Sequence, residues 1–393
     1  MQGLNRLTRC AVAGALAGFA GLGIPLLVGS AAAGAAEANS TIAAPSGISD
    51  AVFVSTNDQT GNQILAYSRS STGTLEFMHA YNTGGRGGAL GGAVVDQLAS
   101  QDSLVYDSAH HLLLVVNAGS NSITAFSVSG DRLSRPQLLS SRGGFPVSIA
   151  AYKNLVYVLD AGASGRVVGY SVSGGTLTEM PGSGRSLGLT AGAQPPYLNS
   201  PGQVGFTPDG DQLVVTTKDN GSNIDVFAVG SDGRLSRHPV QNSSATAVPF
   251  GFVFDPHGRL IVAEASSGAS SYAVDFDGTL THLSSVADNE TAPCWITAAD
   301  GYYYVANAGS ATISVYTADA NANLALVGTT GVVASTDPGP IDLAASSDGQ
   351  FLYAETGGEG IVDEFQIGSG GSLSEIGTIN GLGATGIEGI VAA

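Results

Sequence analysis

The sequence predicts an all-β fold: a seven-bladed β-propeller of four-stranded antiparallel blades, closed by the C-terminal strand joining the first blade. Three observations carry this prediction. Alternating runs such as 123–128 (Ile-Thr-Ala-Phe-Ser-Val) and 313–316 (Ile-Ser-Val-Tyr) read as half-buried strands, while amphipathic helical periodicity is nowhere sustained. A strand closing on a polar residue recurs seven times, at Thr56, Asn117, Asp160, Thr217, Glu264, Asn307 and Glu355. A turn followed by leucine opens the last strand of each unit, at Leu75, Leu133, Leu177, Leu235, Leu280, Leu324 and Leu373; the plain spacing of 44 to 49 residues suits a four-stranded blade.

Taken in chain order, the elements begin with an export signal. Arg6 and Arg9 precede an Ala/Gly/Leu-rich stretch, and Ala36 and Ala38 suit the −3 and −1 sites of a signal peptidase. Residues 1–38 are therefore expected to be a signal peptide and the product to be secreted, with no membrane contact after cleavage. An uncleaved anchor is the alternative, weakened by the many glycines and alanines of the stretch. Residues 39–49 form a Ser/Ala/Pro linker, and 50–393 form a single propeller domain. Two unit spacings stretch to 58 residues, and the excess falls in the Gly- or Pro-rich segments 84–92 and 181–201, which read as loop insertions. Pro-Asp-Gly at 208–210 and Ser-Asp-Gly at 231–233 and 347–349 are hairpin turns. The first unit begins at Val52 without the strand that precedes it elsewhere, and one apolar run, 386–391, is left over at the C-terminus. Pairing the two satisfies both loose edges.

Composition excludes several function classes. A formal charge of −18 leaves no basic face for nucleic acid or for anionic membranes. Once Cys10 leaves with the signal, Cys294 is the one remaining thiol, so the fold holds itself by packing, without an internal disulfide. No Gly-rich phosphate loop and no Ser nucleophile elbow is present. A monomer is expected.

The unit Tyr304-Val-Ala-Asn307 followed by Ile313-Ser-Val-Tyr316 resembles the YVTN-type propeller repeat. From residue 51 to 393 the chain is similar to the lactonase family that includes the propeller-type 6-phosphogluconolactonases and the carboxymuconate-lactonizing enzymes. Within it, Ser100-Gln101, 115–120, 249–252 and Cys294-Trp295 look like a secreted actinobacterial branch. The resemblance implies a site at one mouth of the ring built from His, Arg and Glu. Carried over by residue, the His position holds Gln203 and the Arg-His pair is replaced by Phe250-Gly251, whereas Glu264 and Lys218 match.

In a propeller, the ends of the second strands and the starts of the first strands open on one face. One set of side chains there is the seven strand-end residues; the other is Ser100, Gln101, Gln203, Trp295, Asp342 and Glu388. Glu264, flanked by alanines, is the expected general base, with Lys218 steadying the oxyanion of a lactone carbonyl. Gln101, Gln203, Asn117 and Asn307 are expected to bind a small lactone or sugar-like ligand over Trp295 as a stacking floor, and Arg86, in a Gly-rich loop, to act as an anion clamp on a lid. Asn117, Asn307 and Asp160 also read as strand-end structural residues. Cys294 reads as a buried inert thiol. No cofactor or metal is expected, the alternative being calcium held by Glu264, Asn117, Asp160 and Asn307. A second function class stays open: a non-catalytic propeller that binds a ligand or partner at its polar mouth.

Overall fold

The computed structural model describes residues 50–383 and 387–393; the expected signal peptide (1–38) and linker (39–49) lie outside the described residues. Strands are arranged in seven antiparallel sheets, which confirms the seven-bladed propeller. Five sheets have four strands, and blades 3 and 6 carry a short extra strand because their outermost strand is broken in two. The innermost strands are Ile390–Ala392 (blade 1), Leu104–Asp107, Pro146–Tyr152, Val204–Phe206, Pro249–Phe254, Pro293–Ala299 and Pro340–Ala345 (blade 7). Apolar residues along the second and third strands, such as Phe53, Leu113 and Val305, are fully buried between neighbouring blades. Each such side chain contributes roughly 1.5–3 kcal/mol, which replaces the missing disulfides.

Ring closure is as expected. Ile390–Ala392 pairs with Ala51–Ser55 in the register Val52 with Ala392, Phe53 with Val391 and Val54 with Ile390. Blade 7 and blade 1 are further joined by Tyr353, whose hydroxyl donates to the Gly73 carbonyl at 2.8 Å, and by Glu364, which accepts the Leu75 amide at 3.0 Å. Gly73 is required here: it has φ of +90°, and a Cβ would sit 2.2 Å from the Phe351 ring.

Two sequence expectations need correction. In blade 7 the residue in register with Asn117 is Thr356, paired with Ile361 as Asn117 pairs with Ser122. Glu355 is one place earlier, so its side chain faces the opposite side of the sheet. In blade 4 the outer strand is Val240–Ser243, and Leu235 makes only an isolated bridge to Val229. The three Asp-Gly segments do form turns, each aspartate accepting the amide two residues on, as Asp232 does from Arg234 at 3.1 Å.

Candidate functional site: a tunnel closed at one end

The two insertions shape the tunnel. Segment 93–101 crosses the face where the second strands end, and the helical turn Pro196–Asn199 of the second insertion packs on it through Tyr197, Leu198 and Ala99. Val95 rests against Gly339 and Gly357 of blade 7; a Cβ on Gly357 would lie 1.9 Å from the Val95 carbonyl oxygen. The cavity left beneath this cover, lined by Asp96, Phe250, Cys294 and Trp295, is only about 20 Å³. The expected mouth is therefore filled by the chain itself.

The expected site residues hold this plug in place. Lys218 is fully buried; its Nζ donates to the carbonyl oxygens of Ala99 (2.5 Å) and Tyr197 (2.6 Å) and to Ser200 Oγ (2.9 Å), and lies 5.1 Å from the centre of the Phe250 ring. Trp295 Nε1 donates to the Ser100 carbonyl at 2.9 Å. The Gln101 amide pairs in both directions with the backbone of Ile296, at 2.9 and 3.0 Å, tying blade 2 to blade 6 across the axis. Gln203 does the same with Phe252, at 3.2 and 2.5 Å. Gly251 is where Gln101 passes, since a Cβ there would sit 2.1 Å from Gln101 Oε1. The Phe250 ring packs edge-on to Trp295 at 4.9 Å. Where the lactonase resemblance implies Arg and His, this chain has the small and apolar groups that the plug needs.

Glu264 is fully buried between blades 4 and 5 and away from water. Its Oε1 accepts from Ser244 Oγ (2.5 Å), Tyr272 Oη (2.8 Å) and the Thr246 amide (3.3 Å), and its Oε2 from Thr246 Oγ1 (2.5 Å) and Ser270 Oγ. Five donors leave no lone pair for a substrate water. Asn117 makes an equivalent clasp between blades 1 and 2, accepting from Thr83 Oγ1 (2.7 Å) and Asn62 (3.1 Å) and donating to Thr124 Oγ1 (2.9 Å). Asn307 donates to Ser314 Oγ (2.8 Å) and Thr312 Oγ1 (3.1 Å). The strand-end polar residue is thus an interblade clasp at Asn117 and Glu264, whereas Asn307 ties two strands of its own blade; all three are held by side-chain hydroxyls where a turn's backbone was expected. Arg86 is exposed on a well-packed loop at the join of blades 1 and 2, its amide donating to Ser120 Oγ at 3.0 Å and its carbonyl accepting from Gly119; it does not cover the tunnel. Glu264, Asn117, Asp160 and Asn307 therefore lie in separate blades, each with its own partners, and do not converge on one point. Among the described residues no group of three or more His, Cys, Asp or Glu is placed to hold a metal ion.

Below the plug, the tunnel is an open pocket of about 220 Å³ between the inner strands of blades 1, 2, 6 and 7. Leu104, Tyr106, Thr297, Ala345 and Val391 line its wall, and Asp102 and Asp342 line it at the ends of their inner strands nearest the plug. Both aspartates have left-handed backbones, with φ of +62° and +55°. Such conformations cost of order 1–3 kcal/mol each and concentrate at functional sites. Asp102 Oδ2 accepts from Gln203 Nε2 at 2.5 Å. Asp342 accepts the Leu343 amide at 2.9 Å and the Ile390 amide at 3.3 Å.

Burial sets the protonation of this site. Desolvation pushes Asp102 up to about 6, opposed by the Gln203 hydrogen bond. Asp342 is pushed further, to about 8, by desolvation and by the charge of Asp102. Near neutral pH the pair therefore holds one carboxylate and one carboxylic acid. Three more buried carboxyls stand behind them. Glu355 and Glu388 are raised well above the usual range by desolvation, and Asp96, beside Glu388, is itself raised by burial. Asp342 and Glu388 were legible as inner-strand starts; Asp102 and Asp96 were not, because the sequence pattern at this strand entry singled out Ser100 and Gln101 instead.

The fold and pocket define a class: a seven-bladed propeller with a blind acidic tunnel. No family model and no curated protein sequence matches the chain. Solved structures do. A candidate 6-phosphogluconolactonase from Bacteroides fragilis superposes with a TM-score of 0.65 at 16% identity, over 84% of this chain and 95% of that one. The periplasmic gluconolactonase PpgL of Pseudomonas aeruginosa gives 0.64 at 16% identity, over 87% and 99%. A candidate 6-phosphogluconolactonase from Bacteroides uniformis gives 0.61 at 18%, over 86% and 98%. At these identities the likeness is one of fold. Among the described residues, no helix is long and apolar enough to cross a membrane.

Proposed function

We propose that the protein is an exported, lactonase-like hydrolase that opens a small lactone in the blind tunnel. The observation that supports this reading is the pair Asp102 and Asp342 in one pocket of about 220 Å³, with acidities separated to about 6 and about 8. Ionised Asp102 takes a proton from water as its oxygen attacks the lactone carbonyl carbon. Protonated Asp342 hydrogen-bonds the carbonyl oxygen as it becomes an oxyanion, and Asp102 passes the proton it took from water to the ring oxygen as the C–O bond breaks, giving the hydroxy acid and restoring the site. Glu264 and Lys218 act in this reading as braces of the blade interface and the plug. The fold likeness to a periplasmic gluconolactonase fits the same activity class and export.

A second reading, a non-catalytic propeller that holds a sugar-like ligand, is favoured by the full engagement of Glu264 and Lys218 in internal bonds. A panel of aldonolactones assayed with wild type, Asp102→Asn and Glu264→Gln separates the two. Hydrolysis lost in Asp102→Asn and kept in Glu264→Gln supports the tunnel site. Hydrolysis unaffected by Asp102→Asn defeats it, and no hydrolysis of any lactone leaves the binding reading. Adding EDTA to the wild-type assay tests the calcium alternative.

A further inference from the structure

We infer that the blind pocket admits uncharged lactones and excludes those that carry a phosphate or carboxylate. This deepens the preceding reading and rests on its choice of pocket.

The walls supply no cation. Lys, Arg and His are absent from the pocket lining, which offers Asp102, Asp342, the Thr297 hydroxyl, the Tyr106 ring and aliphatic surface. Lys218, the ammonium held in the plug, is buried and is already bonded to two carbonyl oxygens and a hydroxyl. Behind Asp342 stands Glu355, fully buried, whose Oε1 has no hydrogen-bond partner among the described residues. An anion pushed inward would therefore meet the charge of Asp102 and no positive charge to replace its water.

The rim gives no relief. Where the lining strands turn, Asp107 is paired with His110 at 2.7 Å, and Asp348 with Arg69 at 3.1 Å. Asp300 is exposed on the turn after Pro293–Ala299. His111 Nδ1 lies 3.0 Å from the Tyr106 hydroxyl and is engaged there. With a chain charge of −18, the field at this opening repels anions before contact. A neutral polyol ring meets no such barrier, and its hydroxyls donate to Asp102 and Thr297. Selection here works by rejection of the charged competitor.

The test uses stable lactams, which imitate the lactone ring and are not hydrolysed. Binding of gluconolactam and of gluconolactam 6-phosphate to the full chain is measured by calorimetry at pH 7.5, in low and in 0.5 M salt. The neutral lactam is expected to bind more than tenfold tighter, with the gap narrowing in high salt. Thr297→Lys, which adds a cation to the wall, is expected to reduce the gap at least fivefold; Thr297→Gln, neutral and of similar length, is expected to leave it unchanged. Equal or tighter binding of the phosphorylated lactam by wild type overturns the inference, as does failure of both lactams to bind. Because binding is read without turnover, selective binding with no lactone hydrolysis would uphold the inference and defeat the hydrolase reading. Hydrolysis that prefers phosphorylated lactones would do the reverse.

Discussion

The amide of Gln203 donates to the carboxylate of Asp102 at 2.5 Å, joining blade 4 to the segment that enters blade 2. One bond does two things. It fastens the plug over the tunnel, and it keeps Asp102 more acidic than its neighbour Asp342. Structure and acid–base behaviour are thus coupled at a single side chain.

Gln203→Leu should separate these roles. The substitution removes the donor to Asp102 and leaves the Phe252 amide unpaired, so stability falls by about 1–3 kcal/mol. The acidic limb of any pH–activity profile should move upward, because Asp102 loses the interaction that favours its charged form. Urea denaturation and a pH series together check both effects.

Glu264 should behave as a brace. Glu264→Ala removes a buried carboxylate that accepts from three blade-5 or linker hydroxyls and Tyr272, leaving those donors unsatisfied. A loss of about 2–5 kcal/mol is expected in thermal or urea unfolding. Activity per folded molecule should stay within about threefold of wild type.

The closing strand should matter more than its length suggests. Ile390 is 4% exposed and sits in the strand that completes blade 1, whereas Phe276 is 96% exposed on a hairpin turn. Ile390→Ala should cost about 2–4 kcal/mol through the cavity it leaves. Phe276→Ser should leave the melting temperature unchanged within about 1 °C.

Stability should rise as the solution is acidified from pH 9 toward pH 5. Asp160 and Asp225 are raised by desolvation to about 7 and Asp342 to about 8, against an ordinary value of 3.8. A carboxyl raised in the folded state binds protons there before it does in the unfolded chain. Its stabilising contribution is complete below about pH 4 and is lost as the pH climbs through 7 to 8. Exposed aspartates with lowered values, such as Asp232 and Asp319, act in the opposite sense, and only near and below pH 4. A melting series across this range should therefore peak on the acid side of neutral.

Much of the fold was legible in the sequence because a propeller repeats its local chemistry. The leucine that opens most outer strands, the Asp-Gly turns and the spare C-terminal run each report a local need that the blade repeats, so periodicity alone revealed the ring. The site was less legible for the same reason. Gln101, Gln203, Trp295 and Lys218 lie at one face, and their partners are backbone groups of distant blades and of the insertions. A repeat pattern carries no information about such partners. Asp102 directly follows Gln101 at the entry to an inner strand, and its value as an acid–base group comes from burial and from Gln203, which only the folded ring brings together.

The pH dependence of kcat/KM for a neutral aldonolactone, in wild type and in Asp102→Asn, tests the central claim most directly. A bell with limbs near 6 and 8 is expected for wild type, and loss of at least a hundredfold in rate at unchanged melting temperature for the variant. A wild-type profile flat between pH 5 and 9, or a variant that keeps the wild-type rate, would contradict it.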